Sequence, residues 1–151
     1  MSHKKEIEKL IPHRPPFLWV DRIVSCEKET IITEKNISHD LDVFSGHYPD
    51  NPVMPGVLLC EAVFQSGALL MAKRMENESI EGNKFPVLTR IGHAKFKRTV
   101  QPGDTLQITV RIKEIIAGVC FLKGAIRVED KVAVQVEFSC TLLAPPPGKS
   151  K

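Results

Sequence analysis

The stretch that most constrains this chain runs from Gly46 to Gln65 and reads G-H-Y-P-D-N-P-V-M-P-G-V-L-L-C-E-A-V-F-Q. It begins as a loop. Pro49, Pro52 and Pro55 each fix a backbone torsion and remove a donor, so no regular element runs through all three. It turns into a helix at Pro55-Gly56, because proline is favoured in the first helical turn, where a missing N–H costs nothing. From Val57 to Ala72 the side chains are apolar almost all round, interrupted mainly by Glu61, Gln65 and Ser66. A helix apolar on every face is either a membrane span or a buried core element. At 16 residues, with a carboxylate near its start, the run falls short of the ~20 that a span needs. The expectation is a buried central helix and no membrane span.

Glu61 is the anomaly in that helix. A carboxylate among apolar side chains is costly unless it is paired or protonated. Gln65 lies one turn on, on the same face, within reach of a hydrogen bond to Glu61. His47 stands upstream, on the far side of the rigid loop.

This pattern resembles the active-site motif of the FabZ-type beta-hydroxyacyl-acyl-carrier-protein dehydratases, G-H-F-P-x-x-P-x-M-P-G-V-L-x-x-E-A-x-x-Q, and departs from it only at Tyr48, where the family has Phe. Two further segments are similar to the family. Ile11 to Ile23 reads I-P-H-R-P-P-F-L-W-V-D-R-I against L-P-H-R-Y-P-F-L-L-V-D-R-V, with Pro15 in place of the tyrosine. Ala94 to Leu106 resembles the family's K-F-R-x-P-V-x-P-G-D-x-L. The resemblance implies a hotdog fold, a curved antiparallel sheet wrapped around one long helix. It also implies a dimer whose sites each take a histidine from one chain and a glutamate from the other, with three dimers forming a hexamer.

The rest of the chain suits that α+β order. Lys4 to Leu10 reads as a short helix with Ile7, Leu10 and Ile11 on one face, stopped by Pro12. Leu18 to Cys26 and Thr30 to Asn36 read as strands joined at Glu27-Lys28-Glu29. Asp40 to Phe44 is a short connector, and the central helix is expected to end near Lys73-Arg74, with a polar loop from Glu76 to Asn83. Strands follow over Phe85 to Phe96, Thr105 to Glu114, Gly118 to Val128 and Val132 to Leu143, the last two as a hairpin across Glu129-Asp130-Lys131. Residues 144–151 are expected to be a disordered, proline-rich tail on a single domain spanning 1–151.

Composition excludes several classes. A net charge of +3 is too weak to argue for nucleic acid, yet compatible with an acidic partner. Cys26, Cys60, Cys120 and Cys140 have neither zinc spacing nor a disulfide pattern, so reduced thiols are expected. The N-terminus lacks the apolar core of a signal peptide, and the expectation is a soluble cytoplasmic protein. His39, His47 and His93 lack ligand spacing, so no metal site is expected.

Dehydrating a 3-hydroxyacyl thioester requires a base, an acid and a group that holds charge on the thioester oxygen. His47 suits the base, since imidazole titrates near neutrality. Burial disfavours the charged form of Glu61, which suits it to the acid. The free N–H groups at the helix start, at Gly56 and at Val57, form a backbone oxyanion hole, and Gly56 lets the substrate approach closely. Gln65 orients Glu61. No cofactor and no metal enter this scheme.

His13 and Arg14 are read as loop anchors, since nothing nearby in sequence completes a catalytic set. Tyr48 and Met54 read as packing residues. Lys84, Arg90, Lys95, Lys97 and Arg98 form a basic strip, either a solvated face or a dock for acidic acyl carrier protein. The expected activity is (3R)-3-hydroxyacyl-acyl-carrier-protein dehydration for fatty acid synthesis or for a lipid A pathway. The sister family that also isomerises carries Asp where Glu61 stands, so simple dehydration is favoured. The alternatives are a hotdog thioesterase, which uses a carboxylate to activate water, and a non-catalytic acyl-chain or acyl-carrier binding module.

Overall fold

A computed structural model describes residues 2–78 and 84–143. Helix α1 (His3–Leu10) is capped by Ser2, whose side chain accepts the Lys5 N–H. Strands β1 (Arg22–Cys26) and β2 (Thr30–Asn36) lead through a short 3-10 turn (Asp42–Ser45) to the long helix α2 (Gly56–Asn77). Then come β3 (Phe85–Phe96), β4 (Thr105–Ile116), β5 (Val119–Val128) and β6 (Lys131–Leu143). The six strands form one sheet in the order β1-β2-β4-β5-β6-β3, and every neighbouring pair is antiparallel.

Side-chain alternation explains which face is buried. Leu106, Ile108, Val110 and Ile112 of β4 point inward, as do Cys120, Leu122 and Ile126 of β5 and Val134, Val136, Phe138 and Cys140 of β6. Period-2 patterning of this kind gives a sheet one dry face. Helix α2 lies against that face and touches β2, β3, β4, β5 and β6. One helix can reach five strands only if the sheet curls about it, which is the hotdog arrangement. Gly124 of β5 makes the close approach possible, because a Cβ there would collide with the Val63 side chain of α2. The two polar residues in the middle of α2 are satisfied: the Ser66 hydroxyl pairs with Thr33 at 2.7 Å and with Ala62 O at 2.9 Å, and Gln65 is described below.

Several boundaries differ from expectation. Helix α2 is 22 residues long and continues through Lys73-Arg74 to Asn77, where the Arg74 guanidinium meets Glu78 at 3.3 Å. Its length and composition alone would therefore let it cross a membrane; what marks it as a core helix is burial, since 67% of its most apolar window lies inside the chain. The expected loop at Glu76 begins after Asn77, and its later part lies outside the described residues, as does the tail at 144–151. Strand β1 starts at Arg22, four residues later than the apolar run suggests; the Asp21 N–H already donates to Glu34 O of β2 at 2.8 Å, while the backbone of Phe17 and Trp19 bonds a side chain of α2. Strand β4 runs on to Ile116, and Ala117 and Gly118, both with positive φ, turn it into β5. The β5–β6 hairpin turns at Glu129-Asp130, again with positive φ at both residues, the conformation that two-residue hairpins favour.

Candidate active site

Gln65 is fully buried and makes three hydrogen bonds. Its Nε2 donates to Glu61 Oε2 at 3.0 Å and to Phe17 O at 2.9 Å, and its Oε1 accepts the Trp19 N–H at 2.7 Å. The hydrogen bond to Glu61 expected from the one-turn spacing is present. The two bonds to the 17–19 segment were not legible in the sequence, because they join positions far apart in the chain.

Glu61 is not sealed in the core. Its side chain retains 23% of its exposure, and its carboxylate faces His13, with Nε2 3.7 Å from Oε2. This corrects two expectations: Glu61 sits at the rim of the buried helix face, and His13 is a neighbour of the candidate acid, not a loop anchor. Arg14 does anchor, donating to Glu8 O at 2.9 Å, Ile11 O at 2.9 Å and His13 O at 2.7 Å. Burial holds His13 below the ordinary histidine value of 6.5; Glu61 opposes that shift and Arg14 adds to it.

His47 is half-buried in the proline loop, and its Nδ1 lies 2.9 Å from Val53 O. The loop folds back on itself, with Val53 N–H donating to His47 O at 3.2 Å and Met54 N–H to Val100 O at 2.7 Å. Tyr48 does not enter the core; it is 53% exposed, and its ring stacks on His47 at 4.2 Å between centroids. Met54 is buried as expected.

At the start of α2, the Leu58 and Leu59 N–H groups both reach Pro55 O at 3.1 Å. The Gly56 and Val57 N–H groups have no acceptor among the described residues, as the first turn of a helix requires. At Gly56 a Cβ would come within 2.8 Å of Phe96 Cε1. No hydrogen bond or ion pair joins His47 to Glu61 within the chain among the described residues. A cavity of 520 Å³ lined by Leu18, Trp19, Lys35 and Leu41, among others, is bordered by none of His47, Gly56, Glu61 or Gln65. Among the described residues no cluster of metal-ligating side chains occurs.

The FabA-like domain family matches residues 11–137. A 3-hydroxyacyl-[acyl-carrier-protein] dehydratase FabZ of Paracidovorax citrulli is 43% identical over 138 residues, covering 91% of this chain and 94% of that protein. The protein of the same name from an Acidovorax species is 42% identical over 138 residues, with the same coverage of 91% and 94%. Among solved structures, a chain of the dehydratase heterocomplex ApeI:P from Xenorhabdus doucetiae superimposes with a TM-score of 0.77 over 93% of this chain and 91% of its own, at 15% identity, which supports the fold. With the family match running from the His13 segment through most of β6, and relatives above 40% identity along nearly their whole length, the chain belongs to the FabA-like family as a FabZ-type 3-hydroxyacyl-[acyl-carrier-protein] dehydratase.

Proposed function

We propose that this chain, as one domain in the cytoplasm, removes water from (3R)-3-hydroxyacyl thioesters carried on acyl carrier protein and gives the trans-2-enoyl thioester for fatty acid synthesis. The observation that carries the reading is the state of His47. Val53 O can only accept, so Nδ1 of a neutral ring carries the proton and Nε2 is left with a bare lone pair. A ring held in that tautomer suits a general base. His47 Nε2 takes a proton from C2, the electron pair moves toward the thioester carbonyl, and the Gly56 N–H, with Val57, steadies the oxygen. Glu61 gives its proton to the C3 hydroxyl, which leaves as water while the C2–C3 double bond forms. Gln65 holds Glu61 in place. All the groups in this scheme come from the protein, and it uses neither cofactor nor metal.

The site is proposed to be shared between two subunits. Two features support this. Among the described residues His47 and Glu61 make no hydrogen bond or ion pair with each other within one chain. Strand β3 ends the sheet with Ile91 at 53% and Phe96 at 54% exposure, beside Val57 at 76%, an apolar edge that a second copy would cover. In the homodimer His47 of one chain would work with the partner subunit's Glu61, and three dimers would form a hexamer.

Absorbance of the enoyl product follows the reaction directly. His47→Ala and Glu61→Gln should each lose ~10²–10⁴-fold in turnover while remaining folded. Refolded together, they should recover roughly a quarter of wild-type activity, since about half the dimers are mixed and each mixed dimer has one intact site. Near-normal turnover of either variant removes that residue from the mechanism. Absence of rescue despite subunit exchange puts both residues in one chain. A cis-3 product, or free thiol without enoyl product, would contradict simple dehydration.

A further inference from the structure

The mechanism above leaves one titratable side chain beside the acid without a role. His13 presents Nε2 to Glu61 Oε2 at 3.7 Å, and its Nδ1 is buried with no hydrogen-bond partner among the described residues. The ring is presented firmly. Arg14 clamps the turn that carries it through three backbone carbonyls, and Phe17 N–H donates to Arg14 O at 2.8 Å. Gln65 ties the same segment to α2 while also bonding Glu61. One carboxylate oxygen, Oε2, therefore faces both Gln65 and His13.

We propose that His13 is a positioning residue of this site, a neutral imidazole that turns its Nε2–H toward Glu61 and steadies the carboxylate formed when Glu61 gives up its proton. The tautomer follows from Nδ1. A buried N–H without an acceptor is rare, whereas an unused lone pair is tolerated more readily, so the ring proton belongs on Nε2. The charge state follows from the surroundings. The charged groups that bear on the ring are Glu61 from α2 and Arg14 beside it in its own segment, and burial with Arg14 outweighs Glu61. A neutral donor suits the task. It gains strength as Glu61 becomes anionic, and it does not hold Glu61 ionised as a full imidazolium would. In the reaction the Glu61 proton goes to the departing hydroxyl, and the His13 proton stays on Nε2.

The proposal rests on Glu61 as the acid, and the experiment separates the two. The His13 ring is titrated by two-dimensional proton–nitrogen NMR in the wild-type protein and in Glu61→Gln. Its midpoint should fall further in Glu61→Gln, where the opposing carboxylate is gone; an unchanged midpoint overturns the proposal. Turnover is then compared in His13→Phe, which fills the space without a polar atom, and in His13→Gln, which can still donate. His13→Phe should lose roughly 10- to 100-fold in kcat with KM nearly unchanged, and His13→Gln should regain most of it. Wild-type kcat in His13→Phe, or an equal loss in both variants, overturns the proposal. Should His13→Phe fail to fold, wild-type-like kinetics or an uncorrected loss in folded His13→Gln, together with the titration, decide the matter. A fully active Glu61→Gln protein would sink the acid assignment itself, while the titration would still report whether His13 feels Glu61.

Discussion

Gln65 Oε1 accepts the amide N–H of Trp19 at 2.7 Å, across 46 residues of sequence. The same side chain donates to Phe17 O and to Glu61, so one buried amide joins the 17–19 segment to the candidate acid. Gln65→Ala should remove all three bonds and leave the Trp19 N–H and Phe17 O unpartnered. Each unsatisfied group costs ~1–3 kcal/mol, so urea unfolding should report a loss of about 2–4 kcal/mol. Gln65→Glu retains the acceptor for Trp19 but turns an oxygen toward Glu61 and Phe17 O, so it should lose at least as much as Gln65→Ala at neutral pH. A Gln65→Ala chain within about 0.5 kcal/mol of wild type would show that the network carries little stability.

Glycine-to-alanine changes at two close contacts should differ in kind. At Gly124 the obstruction is Val63, fully buried in α2, so Gly124→Ala should cost about 1–3 kcal/mol by overpacking. At Gly56 the obstruction is the edge of the Phe96 side chain, which is 54% exposed within one chain. Gly56→Ala should change stability little. Its effect on turnover should depend on Phe96, with a coupling of at least ~0.5 kcal/mol in a cycle with Phe96→Ala. Additive effects on turnover would show that the ring has no bearing on the helix start.

Lys84, Arg90, Lys95, Lys97 and Arg98 are all exposed, and none takes part in an ion pair among the described residues. If an acidic carrier protein docks on this strip, turnover of carrier-bound substrate should fall as salt rises, because attraction between exposed charges is screened over ~8 Å at physiological ionic strength. A small thioester substrate should respond much less. Equal salt sensitivity for both would argue against a charged dock.

The depressed proton affinity of His13 has a consequence for stability. Its native value lies below the ordinary 6.5, so between the two the unfolded chain holds a proton that the folded chain does not. Unfolding then takes up a proton, and acid favours it. The penalty begins as pH falls through ~6.5, is complete below the native value, and is absent above the window. Wild type should therefore lose more Tm than His13→Gln between about pH 7.5 and 5. Parallel losses would mean that His13 titrates alike in both states.

Much of the fold and site was legible along the chain because local chemistry dictates it. Three prolines made the Gly46–Pro55 segment a loop, and Pro55-Gly56 set the start of α2, as observed. Alternation marked the strands, and one-turn spacing predicted the Gln65–Glu61 bond. The motif around His47 and Glu61 pointed to the family that the comparisons show. Tertiary structure alone decided the rest. Gln65 holds the backbone at Phe17 and Trp19, inside the run that reads as the start of β1, a competition between elements that no local pattern records. Glu61 sits at a rim instead of inside, because the sheet, not the helix's own composition, determines which parts of α2 are covered. The Phe96 ring lies against Gly56 because the strand order brings it there, which the local sequence around Gly56 does not record. His13 lies beside Glu61 because a clamped turn carries it across the space between them; sequence distance hid that, and only packing reveals it.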